Sequence, residues 1–423
     1  MAAAVRLAKL RHEVTLVEQE GAPGGALRPV EHEGFAWETV DLTVLPAVVR
    51  DLFRKSGRPL EAELDLVERP VLREHRFADG SSLALPGSSR AAQIAAFDAL
   101  APGAGRAWAD HVAAYSATWE TLRRHYLEVP PADPLPRDVA RLLGSRESLR
   151  RRLRRALPDE RLRMVAAHPY VAAGHDPRDV PAWAGLVAYL EQRFGGWTAR
   201  SDDGAGLGSA LADALTRRLA TRKVTVLTGV TARDLVEREG RVAAVATDTG
   251  TLDADVVVVA VDPRRLPALA PAIRRTTPAM PPVLACVGLR ADEVPHLEHE
   301  VVLHGEPELT LRPGGRTPDA GTVAWTVHAR GRIAEDVLVA LARRGIDVRR
   351  HVVARVDLSP RDLVERWHGS PLGVQWQGRR TPRLGPRTPV AGVYAVGAAA
   401  TPGPGLPFAG LTAAVVAQLV GPA

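Results

Sequence analysis

The chain has 423 residues, enough for two to three domains or for one large domain with an insertion. Apolar residues make up 46% and charged residues 25%, which excludes wholesale disorder, and the single cysteine, Cys286, excludes an intramolecular disulfide and any thiolate-cage metal site. The net charge is +6, but all 55 basic residues except Lys9, Lys55 and Lys223 are arginine, and only 4% of residues are aromatic; this reads as coding bias, not as a surface for stacking and neutralising nucleic acid.

Ala2 to Leu10 is rich in alanine and leucine and predicts the later part of a helix. Glu13 to Glu18 predicts a short buried strand ending in an acid. A glycine-rich turn, Gly21 to Gly25, follows, then a hairpin-like stretch and a helix over about Leu45 to Lys55. Phe77 to Leu83 predicts a turn between two strands. Helices are expected through Arg90–Leu100, Gly105–Tyr126 and Arg146–Leu157, with Val129–Pro136 too proline-rich to be helical throughout. A helix over Gly204–Ala220 leads into strands at Val224–Leu227, Ala232–Arg238, Arg241–Thr247 and Asp255–Val261. The last is a β-branched run that predicts a strand covered on both faces. Cys286 lies in an apolar run and reads as a small buried hydrophobe within a strand. The chain closes with strand Val393–Val396, a glycine- and proline-rich loop to Pro407, and a helix from Phe408 to Val420.

No apolar run reaches the roughly 18 residues of a membrane span, and no leader segment stands at the start, so a cytoplasmic protein is expected. His296 and His299 have no companion ligands, and no metal site is expected. The arginine-rich segment 146–163 carries Leu149, Leu153 and Leu157 at i, i+4 spacing. It is either an interfacial helix that docks on anionic lipid or the solvated face of an arginine-biased protein.

The chemistry-bearing constellation begins at Glu18. An acid at the end of the second strand of a dinucleotide-binding βαβ unit accepts hydrogen bonds from ribose hydroxyls. Alone, Glu18 equally well ends an ordinary surface strand. Gly24-Gly25, six residues on, lets backbone approach a pyrophosphate because no Cβ intervenes.

The stretch AAAVRLAKLRHEVTLVEQEGAPGGALR and the loop Gly392 to Pro407 together resemble the phytoene desaturase family of FAD-dependent oxidoreductases, relatives of the flavin amine oxidases. The resemblance spans nearly the whole chain, most loosely over 85–165. It implies an α/β fold, with a discontinuous Rossmann-type FAD-binding domain from 1–60, 201–265 and 381–423, and a mixed α+β substrate domain from 61–200 and 266–380. It implies an FAD-dependent oxidoreductase that takes a hydride from a long apolar isoprenoid. The alternatives are another flavin oxidase or saturase, on an amine or a different isoprenoid, and a non-catalytic remnant. By the same resemblance FAD would be held by Glu18, Gly24, Gly25, Arg28, Val230, Gly397, Ala398, Gly405, Leu406, Pro407 and Phe408. No catalytic side chain stands out.

Three departures from the family pattern matter. Glu38-Thr39-Val40-Asp41 stands where the family often has Asp-x-Gly-Pro, and Ser201-Asp202-Asp203-Gly204-Ala205-Gly206 where it often has Pro-x-Gly-Gly. Both place carboxylates where glycine backbone would face a flavin phosphate, and like charge there is unfavourable. The third is that the first strand and its GxGxxG loop are expected ahead of Met1, in the upstream reading frame.

Overall fold

The protein is described from a computed structural model, which covers residues 1–201, 204–378 and 383–423. Asp202 and Asp203, singled out above, lie outside the described residues.

Two parallel strand pairs carry the site. Thr15–Glu18 pairs with Thr225–Thr228, with Glu18 opposite Thr228. Val257–Val259 pairs with Val393–Ala395. An antiparallel meander of Ala232–Arg238, Arg241–Thr247 and Gly250–Asp253 lies beside them. Four helices pack around the first pair: Ala2–Lys9, Pro46–Ser56, Leu207–Thr221 and Leu406–Val420. Val5, Val49, Leu52, Phe53, Leu207, Leu211, Leu215 and Leu219 form their shared core. In Leu207–Thr221 the apolar residues recur every four positions, so one face is buried along its length.

The second body is a seven-stranded sheet. Its order is Val352–Leu358, Val283–Arg290, Thr322–Arg330, Glu308–Pro313, Glu300–Leu303, Val71–Arg76, Ser82–Pro86. All neighbours are antiparallel except Glu300–Leu303 with Val71–Arg76. A helical lobe packs against one end, through Phe97, Trp108, Leu149, Leu153, Leu157 and Leu162. Polar groups also join lobe to sheet. His168 Nδ1 lies 3.0 Å from Glu308 Oε1, and His304 Nδ1 lies 3.0 Å from Glu308 Oε2. Arg73 bridges Glu191 of the lobe at 2.7 Å and Glu300 of the sheet at 3.2 Å.

Most expected elements form, and the differences have local causes. The helix expected over Gly105–Tyr126 is broken into Ala104–Ala113, Ser116–Leu122 and a wider turn at Arg123–Leu127. It tightens at Tyr115, whose N–H bonds Val112 and whose buried hydroxyl donates to the Ala182 carbonyl at 3.0 Å. The strand expected over Asp255–Val261 narrows to Val257–Val259 and is only partly buried. Among the described residues its one strand partner is Val393–Ala395, so it is not enclosed in a wide sheet. Segment 146–163 forms two helices, Leu149–Ala156 and Glu160–Ala172. Leu149, Leu153 and Leu157 are buried in the core, so this stripe does not face a membrane. Among the described residues no helix is long and apolar enough to cross one. Cys286 is buried within Val283–Arg290, and burial pushes its thiol up to about 12.

Candidate cofactor site

The carboxyl ends of the two parallel pairs open onto one cavity of about 440 Å³. Ligands of open α/β sheets bind at this edge, because the loops there leave a crevice ringed by unpaired backbone groups. Of the residues to which the sequence points, Glu18, Gly24, Gly25, Val230, Ala398 and Leu406 line the cavity. Three distant stretches of chain therefore converge on it.

Glu18 ends its strand with its carbonyl accepting from Val230 N–H at 3.0 Å. Its side chain faces the cavity, and Oε1 accepts the Glu20 N–H at 3.0 Å. Gly25 has φ +53°, and a Cβ there would project into open space. The turn thus needs glycine for its conformation and leaves room beside the wall. Across the cavity, the chain at Gly373 turns at φ +68° so tightly over Ala398 that any Cβ would overlap the Ala398 carbonyl. Helix Leu406–Val420 starts at this wall with no side-chain cap, leaving its first N–H groups and the positive end of its dipole available.

Other residues take supporting places. Arg28 is turned away: Nη1 donates to Asp213 at 2.6 Å and Nε to the Pro23 carbonyl at 3.0 Å, clamping the glycine turn onto helix Leu207–Thr221. Its planar fork is already occupied by protein, and it does not line the cavity. Gly397, Gly405, Pro407 and Phe408 do not line the cavity; they belong to the loop and helix start that present Ala398 and Leu406.

The carboxylates at Glu38 and Asp41 do not line the cavity and are engaged by protein groups. Glu38 is buried, and its two oxygens accept Gly206 N–H at 3.0 Å and Ser209 N–H at 3.3 Å. It caps helix Leu207–Thr221, and burial raises its pKa against those bonds. Asp41 pairs with Arg69 and accepts the Thr198 hydroxyl at 2.9 Å.

The sequence reading missed the basic rim. Arg265 and Arg366 line the cavity, each donating to one neutral acceptor: Gln19 Oε1 and the Pro29 carbonyl, both at 3.2 Å. Among the described residues neither has a carboxylate partner. Arg264, also on the wall, is neutralised by Asp262 at 3.1 Å. The signal for Arg264 and Arg265 was the Asp-Pro-Arg-Arg turn after the β-branched run; nothing local marked Arg366. Among the described residues no group of histidine, cysteine and acidic side chains is arranged to hold a metal.

A cavity with an acid at one strand end, glycine backbone beside it, an uncapped helix N-terminus and two guanidiniums without a carboxylate partner among the described residues has the chemistry to take a dinucleotide carrying a pyrophosphate. Comparison with known proteins agrees. The sequence profile of the family described as flavin containing amine oxidoreductase matches residues 1–401. A phytoene dehydrogenase of Streptomyces griseus is 30% identical over 279 residues, covering 62% of this chain and 52% of that protein. A hydroxyneurosporene desaturase of Rhodobacter capsulatus is 29% identical over 348 residues, covering 76% and 68%. The match thus spans about half to two thirds of these relatives' own length. Among solved structures, an oxidoreductase from Methanosarcina mazei superposes with TM-score 0.64 at 16% identity, covering 99% of this chain and 97% of the other. Cyclohexylamine oxidase from Brevibacterium oxydans gives 0.64 at 12% identity, with coverage of 99% and 97%. At such identities the superpositions speak to fold alone, and the α/β fold with a large mixed sheet is the one they share. The family profile decides membership: the chain belongs to the flavin-containing amine oxidoreductases.

Proposed function

We propose that this chain is an FAD-dependent oxidoreductase of the carotenoid-desaturase type, dehydrogenating a long apolar isoprenoid. The observation that carries the cofactor half is the convergence of Glu18, Gly25, Val230, Ala398 and Leu406 on one cavity. The substrate half rests on the printed activities of the relatives. FAD, when bound, supplies the hydride acceptor.

The chain's own part is binding, positioning and exclusion of water. Glu18 would accept the adenosine ribose hydroxyls. Gly24 and Gly25 would let backbone approach the ligand. Val230 would meet the adenine through its side chain or carbonyl, because its N–H is committed to Glu18. Arg265, Arg366 and the N-terminus of helix Leu406–Val420 would offset phosphate charge. We assign the cofactor domain to 1–60, 201–265 and 381–423, and the substrate domain to 61–200 and 266–380. Any contact with a membrane would use the exposed Arg151, Arg154 and Arg155, since the leucines beneath them are buried.

The absorbance spectrum of the purified chain tests the cofactor. A flavin band is expected, weakened in Glu18→Ala because a charge-assisted hydrogen bond of this kind contributes about 1.5–3 kcal/mol. Equal FAD affinity in parent and variant would sink the assignment of Glu18. Co-expression with a phytoene-producing pathway tests the reaction: phytoene should fall and coloured polyenes appear, and unchanged phytoene counts against desaturation.

A further inference from the structure

A second, smaller pocket of about 90 Å³ lies on the other side of the C-terminal loop. Ala398 and Ala399 face the large cavity, whereas Thr401 and Pro402 face this one. Its other walls include Tyr126, Trp183, Trp376 and Arg383. The two indoles meet edge to face, 5.5 Å between centroids, and the Arg383 guanidinium lies 4.0 Å above the Trp376 ring.

Among the described residues Arg383 is a cation without a counter-ion. Its Nη2 donates to the Val374 carbonyl at 3.3 Å, and that is its one hydrogen bond among the described residues. Its Nε is enclosed and has no acceptor among the described residues, and the same holds for Trp183 Nε1. No described carboxylate pairs with Arg383. Burial pushes its pKa down to about 10, opposed only by the Tyr126 hydroxyl. The surroundings add positive charge. Burial, then Arg383 and Arg330, push nearby His175 down to about 4, so its ring is neutral at pH 7. Arg383 is partly exposed with its Nε enclosed, and a guanidinium drawn from water is disfavoured unless an anion compensates it. Stacking on Trp376 offsets this only in part. Fold stability gives no reason to keep such a group; a ligand does.

We propose that this pocket binds an oxyanion, best the carboxylate at one end of a long apolar ligand, with Arg383 as its counter-ion and the two tryptophans as its walls. The volume holds about three waters at roughly 30 Å³ each, which suits a carboxylate and its adjoining carbons but not a whole chain. A guanidinium offers two parallel N–H donors to such a group. An ammonium would meet like charge, which disfavours an amine at this point. As the seat for one end of a substrate, the pocket rests on the reading of a long apolar substrate given above, and within that class it selects a chain ending in a carboxylate, which phytoene lacks.

The test is titration of the purified chain with a C20 polyene carboxylic acid, all-trans-retinoic acid, and with its methyl ester, read by quenching of tryptophan fluorescence. Inorganic phosphate serves as competitor. The acid is expected to bind at least tenfold more tightly than the ester. Arg383→Met should abolish that preference and leave ester binding unchanged, while Arg383→Lys should retain part of it; circular dichroism verifies that both variants fold. Displacement of the acid by phosphate would support an oxyanion seat that a free anion fills; no displacement would support one that needs the attached chain. Equal binding of acid and ester by the parent would overturn the proposal, as would a preference that survives in Arg383→Met. Flavin content, measured on the same sample, separates the two readings. A colourless protein that still prefers the acid removes the flavin reading and keeps the anion seat. A yellow protein without the preference does the reverse.

Discussion

Replacing Glu38 with alanine probes how this chain manages without the glycine backbone usual in the family. The substitution removes both acceptors from the N-terminus of helix Leu207–Thr221 and leaves Gly206 N–H and Ser209 N–H without partners in a buried place. Each orphaned donor costs about 1–3 kcal/mol. The desolvation of the carboxyl itself is relieved, so the lower half of the summed range applies, about 2–4 kcal/mol. At roughly 2–4 °C per kcal/mol for a domain of 150–250 residues, thermal unfolding followed by circular dichroism should fall by on the order of 10 °C. The pH dependence adds a second check. Burial raises the folded pKa of Glu38 above its ordinary 4.5, so the folded state holds this proton more tightly than the unfolded chain. The group's contribution is therefore largest below pH 4.5 and declines as pH rises through the folded value. Glu38→Gln, fixed neutral, should gain on the parent over that interval. A melting shift under 2 °C in Glu38→Ala, or a parent-to-glutamine difference that stays constant with pH, would refute the capping role.

Gly25→Ala should lower FAD retention and cost about 1–2 kcal/mol of strain, since φ +53° disfavours any L side chain; retention equal to the parent would show that the turn lies away from the ligand. Leu153→Ala should destabilise the chain by about 2–5 kcal/mol without altering liposome binding, because the residue is core; loss of lipid binding with normal stability would restore the interfacial-helix reading. Replacing Arg151, Arg154 and Arg155 with glutamine should remove any salt-sensitive partition onto anionic vesicles; binding that persists at high salt would point elsewhere. For His168, burial opposes the charge, but its bonds to Glu300 and Glu308 raise its pKa above 6.5. Its contribution is full below pH 6.5 and is lost as pH rises through the folded value, so His168→Gln should flatten the parent's decline in stability there; an unchanged profile in urea unfolding would count against it.

The sequence made the cofactor edge legible because its signals are local. Glu18, Gly24 and Gly25 fall within one strand and turn, and Ala398 and Leu406 within one loop. Each needs only a period, a spacing or a glycine to be seen. What stayed hidden depends on pairing at long range. The pairing of Arg28 with Asp213 stayed hidden because its partner lies 185 residues away. Glu38 read as an intruder because its partners, Gly206 and Ser209, follow about 170 residues later. The leucine stripe at 149, 153 and 157 was visible, but amphipathicity does not say whether lipid or protein covers it. Arg366 and Arg383 matter for the carboxylate partners they lack among the described residues, which only a folded chain discloses.

The parallel pairing of Glu300–Leu303 with Val71–Arg76 has a consequence for how this protein is made. Arg73 and Glu300 are separated by 227 residues, and among the described strands Glu300–Leu303 is the one paired to that edge of Val71–Arg76. At roughly 5–20 residues per second, a ribosome needs about 10–45 s to supply the partner. Until then the hairpin of Val71–Arg76 and Ser82–Pro86 has an open ladder and nothing but the helical lobe to cover it. Nascent chains that stop short of residue 300 should be captured by chaperones or aggregate through that edge, so synthesis speed, as much as final stability, governs the yield of this fold.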